Sequence, residues 1–325
     1  MKCGDGMAKL YDEDLTSYIE AEVEDFYCND FPQFFARIDK DSYVRWLYEP
    51  IYNVPEMITG NRPADGGHLI IEASDYENFI AREPKAKKYI KRLIGSKEFI
   101  HNLPRYCLWL VDCPPNDIKK MPLVYKRVEL CREARLKGAP DRQKLAKTSW
   151  LFRDTRNPLY KLVVPKVSGN RREYIPMDFV NEDIILTDLL FMVPEAKYWH
   201  FGVLTSSVHM TWVRMVAGRM GISYRYSVDV VYNNFPWPPF WRKVEKTASD
   251  ILMARKKYPE ASFADLYDPL LMPKELRQAH EANDRAVMEA YDFPKNMTEL
   301  QMQRELLKLY ERLKNFREFY DSVGT

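Results

Sequence analysis

The spacing of apolar residues changes at Pro239, and this change constrains the possible fold more than any other feature of the sequence. From residue 51 onward, apolar runs of four to six residues alternate with turn residues, which is typical of strands, and two intervening segments have helical spacing. After Pro239, apolar residues recur every three or four positions, as in helices. The pattern predicts a mixed α/β (α+β) domain over residues 51–239 and an all-α domain over residues 240–325. Residues 1–50 are an acidic N-terminal appendage.

Length and composition favour a cytoplasmic protein with a buried core. With 325 residues and 46% apolar content, the chain is large enough for two domains. The sequence contains no run of 18 apolar residues, and its first residues lack the apolar segment of a signal peptide, so we expect no membrane partner. The five cysteines are scattered without a CxxC pair, which predicts reduced thiols.

Positive charge is concentrated in one part of the chain. Residues 81–172 contain 24 Lys and Arg against 8 Asp and Glu, whereas residues 1–80 contain 6 against 17. A block with this excess of positive charge is typical of proteins that bind a polyanion. Lysines that only solvate helix faces are the alternative explanation.

Three groups of residues resemble catalytic motifs, but their surroundings argue against catalysis. The WPPF sequence at residues 237–240 resembles the Asn/Asp-Pro-Pro-aromatic motif of amino-methylating enzymes, yet Trp237 cannot accept a hydrogen bond from an amine. Asp188 and the EAK sequence at residues 195–197 lack further carboxylates for a metal ion. The histidines are not paired at ligand spacing, and His209 is predicted to be a hydrogen-bonded core or interface residue. We predict no catalytic residue and no metal site.

The sequence also lacks a glycine-rich cofactor loop. Neither GxGxxG nor GxxxxGK[ST] occurs among its 12 glycines. From the residues alone, we predict that this chain binds no nucleotide and no S-adenosylmethionine.

Residues 164–176 contain a polar turn between two apolar runs, and we interpret them as strand, turn and strand. Arg can form paired hydrogen bonds with guanine and Asn with adenine, while Lys and Ser can bind backbone oxygens of DNA. An exposed hairpin without a binding role is the alternative. The candidate DNA-binding residues of this segment are Lys166, Ser168, Asn170, Arg171 and Arg172.

Residues 202–238 place arginines among aromatic residues, which suits a surface that contacts phosphates and base edges. The pattern predicts a helix over residues 205–219, with Val208 and Trp212 buried, and a polar loop over residues 218–223. A buried amphipathic helix with surface arginines is the alternative. The candidate DNA-binding residues of this segment are Arg214, Arg219, Gly221, Ser223, Tyr224 and Arg225.

Long stretches of the sequence resemble the C-terminal part of the MmeI family, single-chain restriction–modification enzymes that methylate adenine N6 in DNA. The resemblance runs from about residue 51 to residue 293. The matching stretches include NVPEMITGNRPADGGHLII, EPKAKKYIKRLIGSKEFI, PRYCLWL, YIPMDFV, FGVLTSSVHMTWVRMVAGRM, YRYS, VVYNNFPWP and DLYDPLLMPKELRQAHEANDRAVMEAY.

The resemblance implies a DNA target recognition domain over residues 51–239 and a helical C-terminal domain over residues 240–325. In such enzymes the nuclease and methyltransferase regions lie upstream, and the methyltransferase flips the target adenine out of the double helix. The S-adenosylmethionine site is therefore expected in the missing methyltransferase part, which is a partner polypeptide or an upstream region. Double-stranded DNA is the other expected partner.

Family members differ at a residue pair just before the YRYS sequence, and this pair reads one base of the recognised site. The resemblance assigns the pair to Gly221 and Ser223, where charged residues are common in the family. Gly221 has no side chain for a bidentate contact, which implies relaxed or water-mediated reading of that base.

Two functions from different classes remain open. One is a sequence-specific DNA recognition module of an adenine-N6 methyltransferase system that is catalytically silent on its own. The other is an assembly subunit of such a system, which uses its acidic N-terminus and C-terminal helices and binds little DNA. DNA affinity that falls steeply with salt would distinguish them. Binding of S-adenosylmethionine by the isolated chain would instead support an enzyme with an unfamiliar active site.

Overall fold

The computed structural model describes residues 44–323, with side chains up to residue 317, and four short strands before residue 44. These strands form two antiparallel pairs, and they are β1 Met7–Tyr11, β2 Tyr18–Glu22, β3 Phe26–Cys28 and β4 Phe31–Gln33. The predicted appendage, residues 1–50, therefore lies largely outside the described part of the chain, as does Cys3.

Short strands and helices alternate up to Tyr232. The strands are β5 Ile58–Thr59, β6 Ile70–Glu72, β7 Ile90–Ile94, β8 Arg105–Leu108, β9 Tyr160–Pro165, β10 Val167–Ser168, β11 Asp178–Asn181, β12 Ile184–Leu186, β13 Leu190–Pro194, β14 Gly218–Met220 and β15 Ser223–Arg225. The helices are α1 Ala73–Arg82, α2 Ser96–His101, α3 Pro115–Lys119, α4 Pro122–Leu136, α5 Pro140–Lys144, α6 Tyr198–Leu204 and α7 Ser207–Val216. There are also 3₁₀ helices at Pro84–Tyr89 and Leu145–Thr148 and a π-helical turn at Val228–Tyr232.

The chain after residue 241 is helical. Its helices are α8 Arg242–Arg255, α9 Phe263–Leu266, α10 Lys274–Ala290 and α11 Glu299–Val323. The side chains of Thr298 and Gln301 exchange hydrogen bonds with each other's backbone N–H groups at the start of α11, which satisfies two donors that the helix leaves free. The predicted fold class, a mixed α/β region followed by a helical region, is confirmed.

Three sheets organise the α/β region, with strand orders β11-β9-β13-β5, β12-β7-β8-β6 and β10-β15-β14. The two larger sheets meet at a parallel bridge between Asn61 and Thr187. The buried Asn61 amide donates to the carbonyl oxygens of Arg156, at 2.9 Å, and Leu186, at 3.2 Å, and accepts from the Arg156 N–H at 2.7 Å. Because a buried polar group is costly when unpaired, these bonds hold the loop around Arg156 against the sheets.

The C-terminal helices share their core with the α/β region. The largest apolar cluster contains Trp212 of α7, Val244 of α8 and Tyr310 of α11, all of them buried. Helices α6 and α8 approach closely at Gly202, where an added Cβ atom would lie 2.7 Å from Val244 Cγ1. The helical region therefore packs against α6 and α7, the helices that precede β14 and β15 in the chain.

One predicted local structure, the polar loop over residues 218–223, is wrong, and two others differ in their bounds. The helix predicted over residues 205–219 ends at Val216, and residues 218–225 form the β14–β15 hairpin instead of a polar loop. The predicted strand, turn and strand over residues 164–176 is correct in outline, because β9 and β11 pair antiparallel on either side of the turn, with Val163 opposite Asp178. The second strand begins only at Asp178, and β10 pairs in addition with β15. The pairing of β10 with β15 could not be predicted, since pairing with a distant strand satisfies backbone groups in a way that local spacing does not reveal.

The described residues include few groups suited to metal or redox chemistry. Cys107, Cys113 and Cys131 are buried and free. Within the described residues, no group of three or more His, Cys, Asp or Glu is placed to hold a metal ion. Among the described helices, none is long and apolar enough to cross a membrane.

Candidate nucleic-acid interface

The three-stranded sheet β10-β15-β14 brings together the two segments that the sequence singled out. Val167 and Ser168 of β10 pair with Arg225 and Tyr224 of β15 in an antiparallel register. The N–H of Tyr226 also donates to the carbonyl oxygen of Lys166 at 2.8 Å. Residues more than 50 positions apart in the sequence thus form one surface.

The β14–β15 hairpin has a two-residue turn, Gly221–Ile222. Gly221 has φ of +59°, and Ile222 has no positive φ, which is the pattern of a type II′ turn with glycine at its first central position. A Cβ atom at Gly221 would meet nothing within 4 Å, so the backbone angle alone requires glycine here. Ser223, the other member of the predicted base-reading pair, is half-buried and pairs with Met220.

Arg219 and Arg225 extend from opposite faces of this hairpin. Arg219 lies opposite Tyr224 in the strand register, and its guanidinium carbon is 3.9 Å from the centroid of the Tyr224 ring. This cation–π contact covers the ring, which is buried, while Arg219 remains exposed. Arg225 is also exposed, and because neighbouring residues of a strand alternate in direction, it lies on the other face.

Lys166 lies half-buried at the edge of the same surface. Its Nζ is 4.5 Å from the centroid of the Phe191 ring and 3.5 Å from Thr59 Oγ1. Burial lowers the pKa of its ammonium group, the Asp188 carboxylate raises this pKa, and the guanidinium groups of Arg62 and Arg225 lower it. Three cations therefore lie together here, with the carboxylates of Asp188 and Asp229 nearby.

Sequence reasoning missed two cations of this group, Arg62 and Arg156. The Arg62 Nε donates to Asp188 Oδ2 at 2.9 Å, and Nη1 of Arg156 lies 3.4 Å from the carbonyl oxygen of Thr59. Both side chains are exposed. The positive excess of residues 81–172 includes Arg156, but Arg62 gives no local signal, since only the fold places it near Lys166. We call Arg62, Arg156, Lys166 and Arg225 the basic group.

The polar turn after β10 contains the other candidate DNA-binding residues of residues 164–176. Asn170 and Arg171 are exposed, whereas Arg172 is half-buried and its pKa is lowered by burial. Ser168 is buried, and its Oγ has no hydrogen-bond partner among the described residues. Its hydroxyl is therefore shielded from an external ligand.

A contact with the helical region holds the polar turn in place. Arg277 of α10 donates to Glu173 Oε2 at 2.8 Å and to the carbonyl oxygen of Pro269 at 3.1 Å. The turn and the loop around Pro269 thus form one edge of the surface. The ion pair between Arg277 and Glu173 restricts how the turn can move.

Arg214 lies apart from Arg219 and Arg225 of the hairpin. Its Nε donates to Glu299 Oε1 of α11 at 2.5 Å, and one Nη lies 3.5 Å from Thr211 Oγ1. The structure places this residue at the contact between α7 and α11. Its guanidinium is engaged in an intramolecular ion pair.

The residues that resembled catalytic motifs are buried or ion-paired within the fold. His209 is fully buried with its Nε2 3.0 Å from the Tyr226 hydroxyl, so the prediction of a hydrogen-bonded core histidine is confirmed. Trp237 is buried edge-on against Trp199 and Phe235. Asp188 is the ion-pair partner of Arg62.

Two family models match the chain, MmeI target recognition domain over residues 39–239 and MmeI C-terminal domain over residues 240–316. The chain is similar to DNA methyltransferase A of Bacillus subtilis strain 168, with 38% identity over 271 residues, 82% of this chain and 31% of that protein. Its structure is similar to the Type IIL restriction–modification enzyme MmeI, solved in complex with DNA, with a TM-score of 0.83 and 32% identity. That likeness covers 97% of this chain and 42% of the MmeI chain.

The chain therefore spans less than half the length of both relatives. The matched regions together cover residues 39–316 and include the three-stranded sheet and the polar turn. These matches show that the chain belongs to the MmeI family and consists mainly of its target recognition domain and its C-terminal domain.

Proposed function

We propose that this chain recognises a specific sequence in double-stranded DNA through the β10-β15-β14 sheet, the polar turn and the basic group. The observation that carries the proposal is the pairing of β10 with β15, which joins two arginine-containing segments on one surface. Arg and Lys side chains supply the charge that phosphates require, and Arg forks can read guanine.

The geometry suggests different roles for the cations. Arg219 and Arg225 are exposed on opposite faces of the β14–β15 hairpin, whose two-stranded tip has a shape that the major groove admits, so they are the candidates for base contacts. Lys166, Arg62 and Arg156 lie at the base of the ribbon and suit phosphate contacts that fix its register. Asn170 and Arg171 extend the contact along the DNA from the polar turn.

We assign methylation of adenine N6, and the S-adenosylmethionine that it requires, to a methyltransferase region outside this chain. One cavity of about 650 Å³ is lined by Lys85, Lys87, Lys88 and Lys120 with Asp117, and this excess of positive charge disfavours a sulfonium cation there. The length of the relatives supports a separate catalytic region, since DNA methyltransferase A is about three times as long as its match to this chain.

An assembly role is the second candidate function. The loop between α9 and α10 exposes Leu270 and Leu271, with 93% and 67% of their surfaces accessible. Exposed leucines next to each other suit a contact with another protein region, such as the methyltransferase. Arg277 joins Glu173 to the carbonyl oxygen of Pro269, so these leucines lie near the polar turn and the two roles would use neighbouring surfaces.

A salt titration tests the proposal. The affinity of the purified chain for double-stranded DNA is measured at increasing salt concentration, because each phosphate contact releases counterions and adds about −0.9 to the slope of log K against log salt. We expect a slope of about −2.7 or steeper, from the phosphate contacts of Lys166, Arg62 and Arg156. Absence of DNA binding at low salt, or binding that does not depend on salt, would contradict the proposal and favour the assembly role.

A further inference from the structure

The tip of the β14–β15 hairpin is apolar. Ile222 has 75% of its surface exposed and Met220 has 57%, and neither packs against the apolar clusters of the described residues. Single exposed apolar residues are common on protein surfaces, but these two lie together at the end of a ribbon. Their position at the candidate interface suggests a partner outside the chain.

The turn holds Ile222 in a restricted orientation. Gly221 adds no side chain beside it, and the glycine backbone angle fixes the direction of the turn. Ile is branched at Cβ, which limits its χ1 rotamers. The apolar tip is therefore narrow and largely preorganised, so that little conformational entropy is lost when it contacts a ligand.

The charges near the tip identify the partner as DNA. Arg219 and Arg225 belong to the two strands that end in this turn, and Lys166 lies close to Arg225. An apolar protein groove would leave these cations without counter-charges, whereas the phosphates that flank a DNA groove supply them. On the base edges of the major groove, the apolar group is the C5-methyl of thymine.

We infer that Ile222 reads a thymine in the recognised site by contact with its C5-methyl group, with Met220 packing beside it. The inference rests on the proposed DNA recognition function and deepens it. Gly221 offers no side-chain hydrogen bond, and the hydroxyl of the half-buried Ser223 can donate only one, so apolar contact by Ile222 distinguishes T·A from C·G at this position. Cytosine methylated at C5 restores part of the contact, because it displays the same methyl group.

Replacement of thymine by uracil tests this inference. The chain first selects its preferred duplex, and each thymine of that duplex is then replaced singly by uracil, which removes only the methyl group. We expect one replacement to weaken binding about fourfold, the effect of leaving one methyl group unburied. In Ile222→Ala the thymine and uracil duplexes should bind equally well.

Two matched variants serve as controls. Leu159→Ala removes an exposed leucine at the far end of β9 and should keep the thymine preference. Met220→Ala should reduce the preference less than Ile222→Ala, and the reverse order would overturn the assignment to Ile222. A selected site without thymine, or equal binding of every uracil duplex by the unaltered chain, overturns the inference while the proposed function stands. Absence of DNA binding overturns both.

Discussion

The guanidinium of Arg219 lies 3.9 Å from the centre of the Tyr224 ring, and this contact gives a flexible side chain a defined position. An arginine held flat on an aromatic ring keeps its N–H groups free at the edge of the guanidinium plane. Less conformational entropy is then lost when those N–H groups meet a base. At the scale of single residues, we therefore expect the buried Tyr224 ring to assist DNA binding through Arg219 without contacting the DNA itself.

Substitution of Tyr224 should separate this supporting role from a direct one. We expect Tyr224→Leu to weaken specific DNA binding by about 1 kcal/mol or more, because Arg219 loses its cation–π contact, whereas Tyr224→Phe should bind almost normally. Arg219→Ala should cost about 1–3 kcal/mol and relax specificity at one base pair. Affinities for the selected duplex and for a random duplex give these values.

A double variant of Arg219 and Tyr224 tests whether Tyr224 acts through Arg219. If Tyr224 acts through Arg219, the double variant Arg219→Ala with Tyr224→Leu should bind no more weakly than Arg219→Ala alone. Fully additive losses would mean that the ring contributes independently of Arg219. Equal losses on specific and random DNA would mean that Arg219 contacts a phosphate.

Buried histidines make the fold sensitive to acid. Burial lowers the pKa of His209 to about 3 and that of His200 to about 4. In the unfolded chain these groups titrate near 6.5, so below that pH the unfolded state binds more protons than the folded state. The stability linked to these buried histidines is therefore fully present above about pH 6.5, and it is lost progressively as the pH falls towards 3.

We expect His209 alone to reduce the free energy of unfolding by about 2 kcal/mol at pH 5 relative to pH 7. His209→Gln keeps a polar group near Tyr226 but does not titrate, so its stability should fall less over this range. Denaturant unfolding at the two pH values measures the difference, and His101→Gln, which changes an exposed side chain, is the control. The same pH dependence in His209→Gln and the unaltered chain would refute this explanation.

At the scale of secondary-structure elements, the β10-β15-β14 sheet depends on contacts with neighbouring helices. Helix α7 buries Trp212, whose Nε1 donates to the carbonyl oxygen of Val231 at 3.0 Å in the π-helical turn that follows β15. Helix α6 precedes α7 and packs against α8 at Gly202. The hairpin is thus connected through α7 and α6 to the C-terminal helices.

Gly202→Ala should disturb this packing. The new Cβ atom would lie 2.7 Å from Val244 Cγ1 and 2.9 Å from Ala248 Cβ, so α6 and α8 must separate, at a cost of about 1–3 kcal/mol. Gly218→Ala is the control, because the nearest atom to its added Cβ is 4.0 Å away. Thermal unfolding of both variants measures the effect, and equal melting temperatures would show that the helices adjust without cost.

The elements also show what the sequence could predict. Periodicity identified the helical region and the long helix α4, because local spacing determines which face of a helix is buried. It did not identify the pairing of β10 with β15 or the ion pair of Arg214 with Glu299, which is 85 residues away. Such contacts depend on how distant segments meet, which no local pattern encodes.

At the scale of the whole molecule, the fold redistributes the charge of the sequence. The basic block of residues 81–172 does not form one patch: Lys166 and Arg156 join Arg62 and Arg225 near the hairpin, while Lys85 and Lys88 line a separate cavity. DNA bound at the hairpin would therefore meet only part of the positive charge. The remaining lysines are available for other contacts.

This division predicts different salt effects for different cations. Arg156→Ala should weaken binding to all duplexes alike and make the salt slope about one unit shallower, because it removes a phosphate contact. Lys246→Ala removes an exposed cation on α8 and should leave the slope unchanged. A change of sequence preference in Arg156→Ala would contradict its assignment to a phosphate.

Selection from a randomised pool of DNA duplexes, followed by sequencing of the bound fraction, tests the central claim most directly. If the β10-β15-β14 sheet and the polar turn read DNA sequence, the unaltered chain should enrich a motif of several base pairs. Arg219→Ala should lose the preference at one position of that motif. Retention of DNA without an enriched motif would contradict sequence recognition by this chain, and no retention at low salt would contradict DNA binding altogether.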